Sequence, residues 1–194
     1  MRYEKGRKDA SRDRIVEVAA QRFRSDGIAA SGLATIMGDA GMTNGAFYPH
    51  FQSKAELIRE SVAAALDAQS QQIQALLASG GPEMTIQAYL SAEHRDNPDK
   101  GCASAALLPE IARQPPETRE VYTERFLTQV RQVSAALPQG KDPEGVALGV
   151  FATLIGALQL ARAAAGTELS DRILAAGADA ARRLIQPDGN GKAS

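Results

Sequence analysis

Nowhere in these 194 residues do apolar and polar side chains alternate at every second position for long enough to build a strand. What recurs instead is helical spacing, with apolar residues three and four apart. β-branched residues are sparse beside Ala, Leu, Glu, Arg and Gln. The chain is expected to be all-α, with about nine helices. Hydrophobic residues make up 44% of it, enough to pack a core.

Capping and breaking signals set the expected helix limits. Ile15, Val18, Ala19 and Phe23 form one stripe of a helix from Ser11 to Asp26, closed by Gly27. A short helix follows from Gly32 to Ala40, with Ser31 as its N-cap and Gly41 as its stop. Thr43 caps a third, Asn44 to His50. Ser53 and Glu56 form a capping box (Ser-Lys-Ala-Glu) that opens a fourth, running to Leu77. Ser79-Gly80-Gly81-Pro82 is a break, and Glu83 to His94 a further helix. Residues 95–101 read as a loop, and Cys102 to Gln114 as a helix kinked at Pro109. Pro116 starts the next, which ends near Leu137. Pro143 to Ala165 and Leu169 to Ile185 are the last two, followed by a polar tail, 187–194.

Net charge is −1, so overall charge says little about partners. Its distribution says more: residues 1–54 hold nine Lys/Arg and six acids, while the rest is net acidic. A basic head on an acidic body points to an anionic partner for the head. The single cysteine, Cys102, excludes an intrachain disulfide and a Cys-rich zinc site, and suits a reducing cytoplasm. His50 and His94 stand too far apart for a metal site, and no cofactor motif is present. The first residues, MRYEKGRKDASRDR, contain no apolar run and do not read as a signal peptide. Val146 to Leu160 is interrupted by Gly149, Thr153, Gly156 and Gln159, and reads as too short and mixed for a membrane span. The expectation is a soluble, cytoplasmic protein.

The stretch GMTNGAFYPHF, 41–51, is the most specific in the chain. Two short helices joined through Asp39-Ala40-Gly41-Met42-Thr43 fit a helix-turn-helix. Gly41 permits the tight turn and Met42 points inward. Ala34, Ile36 and Met37 give the first short helix an apolar face. The second would enter the major groove. Thr43, Asn44 and Gly45 occupy its exposed first turn, where Asn can pair bidentately with adenine and Thr can meet a base edge. Gly45 and Ala46 remove bulk. Tyr48, His50 and Lys54 carry donors suited to phosphate oxygens. Phe47 and Phe51 face inward. Pro49 cannot donate to a helix, so the helix should be short or bent there.

Taken in order, RIVEVAAQRFRSDGIAASGLATIMGDAGMTNGAFYPHF and the following SKAEL resemble the tetracycline-repressor (TetR) family of bacterial transcriptional regulators. The resemblance covers about residues 10–60. Met37, where a small residue is more usual, and Pro49, at a variable position, depart from the pattern. The resemblance implies a three-helix helix-turn-helix DNA-binding domain, 1–54, and a helical ligand-binding and dimerisation domain, 55–186, before the flexible tail. It implies backbone contacts from Tyr48, His50 and Lys54, and a base-facing segment of Thr43, Asn44, Gly45 and Ala46. Ser31, opening the second helix, joins this DNA-facing set. Arg2, Lys5, Arg7 and Lys8 form a basic arm suited to phosphate or minor-groove contacts, or a solvated charge run.

In the body, Gly145, Gly149, Ala152 or Thr153, and Gly156 recur three or four apart, a line of small residues that lets a helix approach closely. The family implies that this helix and the last, through Gly149, Ala152, Gly156, Leu174, Ala178 and Ile185, pair with their copies in a homodimer. The alternative is packing inside one subunit. Met84, Tyr89, Tyr122, Phe126, Phe151, Leu154 and Leu158, with Cys102, are candidate lining for a ligand cavity, which by family inference takes a small, largely apolar molecule. The expected function is a regulator, by family default a repressor, released from a palindromic DNA operator by a small-molecule effector. One alternative is an oxidant- or electrophile-sensing regulator acting through Cys102, whose place at a helix start beside Lys100 favours thiolate. Another, disfavoured by the weak net charge, is a sequence-blind architectural DNA binder, and the last is an all-helical enzyme. No nucleophile, base and metal set converges to support it, so the chain is read as non-enzymatic.

Overall fold

A computed structural model describes residues 2–138 and 142–186, with side chains from Lys8 onward. Eight α-helices and two 3₁₀ turns make up the regular structure of the described residues, none of which is in a strand. The helices are α1 (Arg2–Asp26), α2 (Leu33–Asp39), α3 (Lys54–Tyr89), α4 (Ala92–Asp96), α5 (Ala103–Ile111), α6 (Pro116–Ala136), α7 (Pro143–Ala163) and α8 (Glu168–Ile185). The 3₁₀ turns are Asn44–Ala46 and Pro98–Lys100. By internal contacts the chain forms two units. One is Met1–Ala68 with Pro98–Arg125, the other Gln69–Asn97 with Phe126–Ser194. The expected tail, 187–194, lies outside the described residues.

The first unit is built on α1. Ile15, Val18, Ala19 and Phe23 are buried along one face, as their spacing requires, and Ile36, Met37, Phe47, Phe51, Leu57, Val62 and Leu107 close the same core. Phe47 and Phe51 stack with ring centroids 5.4 Å apart and are each 1% exposed. Several limits differ from expectation. α1 starts at Arg2 rather than Ser11, because no proline interrupts the helix-favouring residues ahead of Ser11. Ser31 is not the cap of α2. Its hydroxyl is buried and donates to the Gly27 carbonyl at 2.6 Å, so Gly32 takes the cap position with no side-chain bond. Ala34 is exposed rather than part of the inward face. Thr43 holds the predicted cap position, yet its hydroxyl accepts no cap bond.

Past Gln69 the second unit begins. α3 is interrupted where Ser-Gly-Gly-Pro predicts a break. Gly81 sits at φ 67, ψ −162, a conformation open essentially to glycine alone. Beyond it the helix ends at Tyr89 rather than His94, because Ser91 accepts the His94 N–H and caps a separate short helix, α4. That helix is pinned by two arginines. Arg95 donates to Ser170 Oγ (3.0 Å) and Asp171 (2.6 Å), and Arg162 donates to the carbonyls of His94 (2.9 Å) and Arg95 (3.1 Å). α7 packs along α8, with Gly177 against Ala157 at the crossing. By length and composition α7 is apolar enough to cross a membrane, contrary to the sequence reading that set it aside as too short. Its buried residues, among them Ala147, Phe151, Leu154, Leu158 and Ala161, instead serve the core of this unit.

Candidate nucleic-acid interface and ligand cavity

α2 ends in a Schellman motif. Met42 N–H donates to the Met37 carbonyl and Gly41 N–H to that of Gly38, each at 2.9 Å. Gly41 supplies the left-handed residue the motif needs, at φ 74. Met42 then packs on the core, and the chain leaves at a fixed angle into the 3₁₀ turn. The expected α-helix from Asn44 to His50 is replaced by this single turn and a following turn through His50. Pro49 explains the change. It has no N–H for the Gly45 carbonyl, and its ring crowds that carbonyl, so an α-helical bond cannot form there. Ala46 N–H to Thr43, Phe47 N–H to Asn44 and His50 N–H to Phe47 are i to i−3 bonds, and only past Pro49 does an i to i−4 bond return, from Phe51 N–H to Phe47.

This shape leaves Thr43, Asn44 and Gly45 exposed and Ala46 half-buried. A Cβ on Gly45 would meet nothing within 4 Å on this chain, so the surface over the turn is open. Tyr48 is 70% exposed, held edge-on to Phe47. His50 is half-buried, with Nδ1 buried and without a hydrogen-bond partner. Desolvation first, then the charges of Lys8 and Arg12, push its pKa below the ordinary histidine value. Lys54 donates to the Ile28 carbonyl at 3.1 Å, which leaves two of its three N–H groups. Ser53 Oγ accepts the Glu56 N–H (3.1 Å), and the Glu56 carboxylate reaches back to Gln52 N–H (2.7 Å), so the start of α3 is capped as the sequence predicts. Ser31 stands apart from the exposed set, its hydroxyl consumed inside the fold.

Among the described residues, three of the nine cations counted in residues 1–54 are paired with carboxylates. Arg12 pairs with Glu60 and Glu56 and lies over the Phe51 ring, Arg14 pairs with Glu17, and Arg22 bridges Asp26 and Asp39. Lys8 is exposed on α1, while the side chains of Arg2, Lys5 and Arg7 lie outside the described residues. The arrangement offers a small polar tip flanked by a few cations and hydroxyl or imidazole donors.

A cleft in the second unit has about 420 Å³ of empty space, much of it open to solvent. Its enclosed part has room for about one water molecule. Tyr89, Phe151 and Leu154, proposed from sequence, line it. So do Ile73, Leu77, Pro82, Thr85, Ile86, Val133, Leu137, Val150 and Ile185, which sequence reasoning did not put there. They come from α3, the end of α6, α7 and the last residue of α8, a convergence visible only once those helices are placed. Phe126 backs Phe151 edge-on at 5.2 Å, and Leu158 is fully buried outside the lining. Met84 is 41% exposed and covers Gly80. Cys102 and Tyr122 belong to the other unit. There the thiol is 3% exposed and accepts the Ala105 N–H as the cap of α5, and the Tyr122 hydroxyl is 2.9 Å from Ser104 Oγ. Burial raises the Tyr122 phenol pKa.

Leu174 and Ala178, proposed for a dimer seam, are buried inside the subunit, and Ile185 lines the cleft. The outward face of α7 carries Leu148, Ala152, Gly156 and Leu160, at intervals of four. α8 exposes Leu169 and Leu184, and Gly149 lies against Leu184.

A family model described as bacterial regulatory proteins, tetR family, matches residues 15–61. A TetR-family transcriptional regulator from Cytophaga hutchinsonii superimposes with TM-score 0.76 at 18% identity, over 92% of this chain and 96% of that one. One from Agrobacterium tumefaciens gives TM-score 0.71 at 21% identity, over 89% and 97%. The transcriptional regulator FadR from Bacillus subtilis, in complex with stearoyl-CoA, gives 0.64 at 13%, also over 89% and 97%. At such identities the likeness is one of fold. No curated protein sequence matches the chain significantly.

Proposed function

We propose that this chain is a TetR-family regulator of transcription, DNA-binding and ligand-responsive, a cytoplasmic repressor released from a palindromic operator by a small, uncharged, apolar molecule; the match of residues 15–61 to the family model supports this reading. The observation that carries the DNA reading is the open Thr43-Asn44-Gly45 turn, projected by the Schellman motif of α2 and braced by Phe47 and Phe51. Asn44 reads adenine, a contact worth ~1–3 kcal/mol of discrimination. Tyr48, Lys54 and His50 hold phosphates. The tautomer of His50 with its proton on Nε2 avoids burying an unpaired N–H and keeps a donor for that role. Family members act as dimers. The exposed leucines of α7 and α8 supply an apolar face for a second copy, and two copies would set recognition turns about 34–36 Å apart.

The ligand class follows from the cleft wall, which is almost entirely hydrocarbon. A charged group placed there would lose its hydration with no counterion among the lining side chains. Since the enclosed space holds about one water, a ligand must widen it. It does so by favouring a conformation in which the turns no longer fit the operator, and DNA and ligand then weaken each other's binding equally. Sensing through Cys102 is not adopted, because the buried sulfur already serves as a helix cap. No catalytic role is assigned.

Anisotropy titrations on a panel of duplexes test this reading. Tyr48→Phe and Lys54→Ala should weaken binding evenly across sequences, and Lys54→Ala should lower the salt slope by about 1. Asn44→Ala should relax preference at one base position, whereas an equal loss on every sequence contradicts its role. Val150→Phe, which fills the cleft, should bind DNA normally and resist release by apolar compounds.

A further inference from the structure

The loop between α1 and α2 is held by a carboxylate that arrives from far along the sequence. Glu110, in the last turn of α5, accepts the N–H of Ile28 at 3.0 Å through Oε2 and that of Ala29 at 2.9 Å through Oε1. Gly27 makes the approach possible. It sits at φ 86, and a Cβ there would lie 3.1 Å from Glu110 Oε2. The carbonyl side of the same loop is held by different groups. Ser31 Oγ donates to the Gly27 carbonyl, and Lys54 Nζ donates to the Ile28 carbonyl. The backbone of Ile28 is thus gripped on both sides, its N–H by the Glu110 carboxylate and its C=O by the Lys54 ammonium. A second hook lies close in sequence. Arg24, in the last turn of α1, donates to the Asp99 carbonyl at 2.7 Å.

We propose that Glu110 is a positioning residue for DNA binding, a latch through which α5 sets the loop that orients α2 and the Lys54 ammonium. The proposal rests on the DNA-binding reading above. Charge-assisted bonds to two successive amides fix a short loop in one geometry, and they hold only while α5 keeps its place. Any movement of α5 therefore reaches Ile28, and through Ile28 reaches Lys54. Because coupling is reciprocal, DNA held by Lys54 must in turn steady α5. Glu110→Gln keeps the shape of the side chain and one acceptor oxygen, but sets an NH₂ group against an amide donor.

The test uses the full chain, a duplex enriched from random DNA by the wild-type protein, and amide hydrogen exchange with and without that duplex. In the wild type, DNA should slow exchange both in 43–50 and in Ala103–Ile111. In Glu110→Gln, exchange at Ile28 and Ala29 should speed up without DNA. Affinity for the duplex should fall roughly tenfold, within the usual range of coupling between sites. DNA should still protect 43–50 and no longer protect Ala103–Ile111. A residue that only props up the fold would lower the unfolding temperature and leave the DNA-induced protection of α5 intact. That result overturns the proposal, as does wild-type affinity in the variant or absence of α5 protection in the wild type. If Glu110→Gln does not fold, Glu110→Asp, which keeps the charge and withdraws it by one methylene, is read in the same way. Failure of the wild-type protein to enrich any duplex would instead sink the DNA-binding reading, and the latch with it.

Discussion

Gly177 lies where α8 crosses α7, and replacing it with alanine sets two physical effects against each other. Helix propensity favours the change by ~1 kcal/mol, since glycine in a helix interior loses more backbone entropy than alanine. Packing opposes it. The new Cβ would stand 2.4 Å from Ala157 Cβ, 3.1 Å from Leu90 Cδ1 and 3.9 Å from Ala157 Cα. Carbon atoms prefer a separation of about 3.5–4.0 Å, so one helix must back away by roughly an ångström. Ala157 has no rotamer to turn aside, and Leu90 blocks the other flank. Overpacking of this kind costs ~1–3 kcal/mol, and the upper half of that range applies where no flexible side chain can yield. The net expectation is destabilisation by ~1–2 kcal/mol, or a fall in Tm of about 2–8 °C for a chain of this length. Scanning calorimetry at fixed protein concentration measures it. Gly38→Ala is the control. Its Cβ meets nothing within 4 Å, so only the propensity gain remains and Tm should rise slightly. Ala157→Gly combined with Gly177→Ala should restore much of the loss. A Gly177→Ala protein as stable as wild type would refute the close crossing.

Gly41→Ala should destabilise the first unit by ~1–2 kcal/mol through its left-handed backbone alone, since no atom crowds the site, and should weaken DNA binding more than it lowers Tm. Burial, only partly offset by the 2.7 Å bond from Nδ1–H to the Tyr89 carbonyl, holds the His94 pKa below 6.5. The folded state then binds fewer protons than the unfolded state as pH falls below about 6.5, so stability present above that pH should decline on the acid side. His94→Gln should flatten that part of a denaturation-against-pH curve. Leu160→Glu, on the exposed face of α7, should convert a dimer to a monomer in sedimentation runs while leaving helicity unchanged.

The sequence was most legible where structure is decided locally. The turn at Gly41, the capping of α3 by Ser53 and Glu56, the break at Gly80-Gly81 and the burial of Phe47 and Phe51 all follow from residues within a few positions of one another. Ser31 departs from expectation because its side chain turns inward and donates to the Gly27 carbonyl, while Gly32 takes the cap position of α2. The length of the segment Asn44 to His50 is half legible: Pro49 implies a short or bent helix, and the structure has a 3₁₀ turn followed by a second turn through His50. Long-range features left no mark. Nothing around Glu110 says that it will meet amides 81 and 82 residues away. Small residues on α7 and α8 suggested a seam, but which of them face outward depends on the α7–α8 crossing. That crossing buries Leu174 and Ala178 and leaves Leu148, Leu160, Leu169 and Leu184 exposed.

Selection of bound sequences from random DNA by the purified protein tests the central claim most directly. The account predicts a palindromic consensus with half-site centres about one helical turn apart, roughly 10–10.5 base pairs, and a shift at one position of each half-site when the selection is repeated with Asn44→Ala. Absence of enrichment by a folded, dimeric protein, or a consensus unchanged by Asn44→Ala, would contradict it.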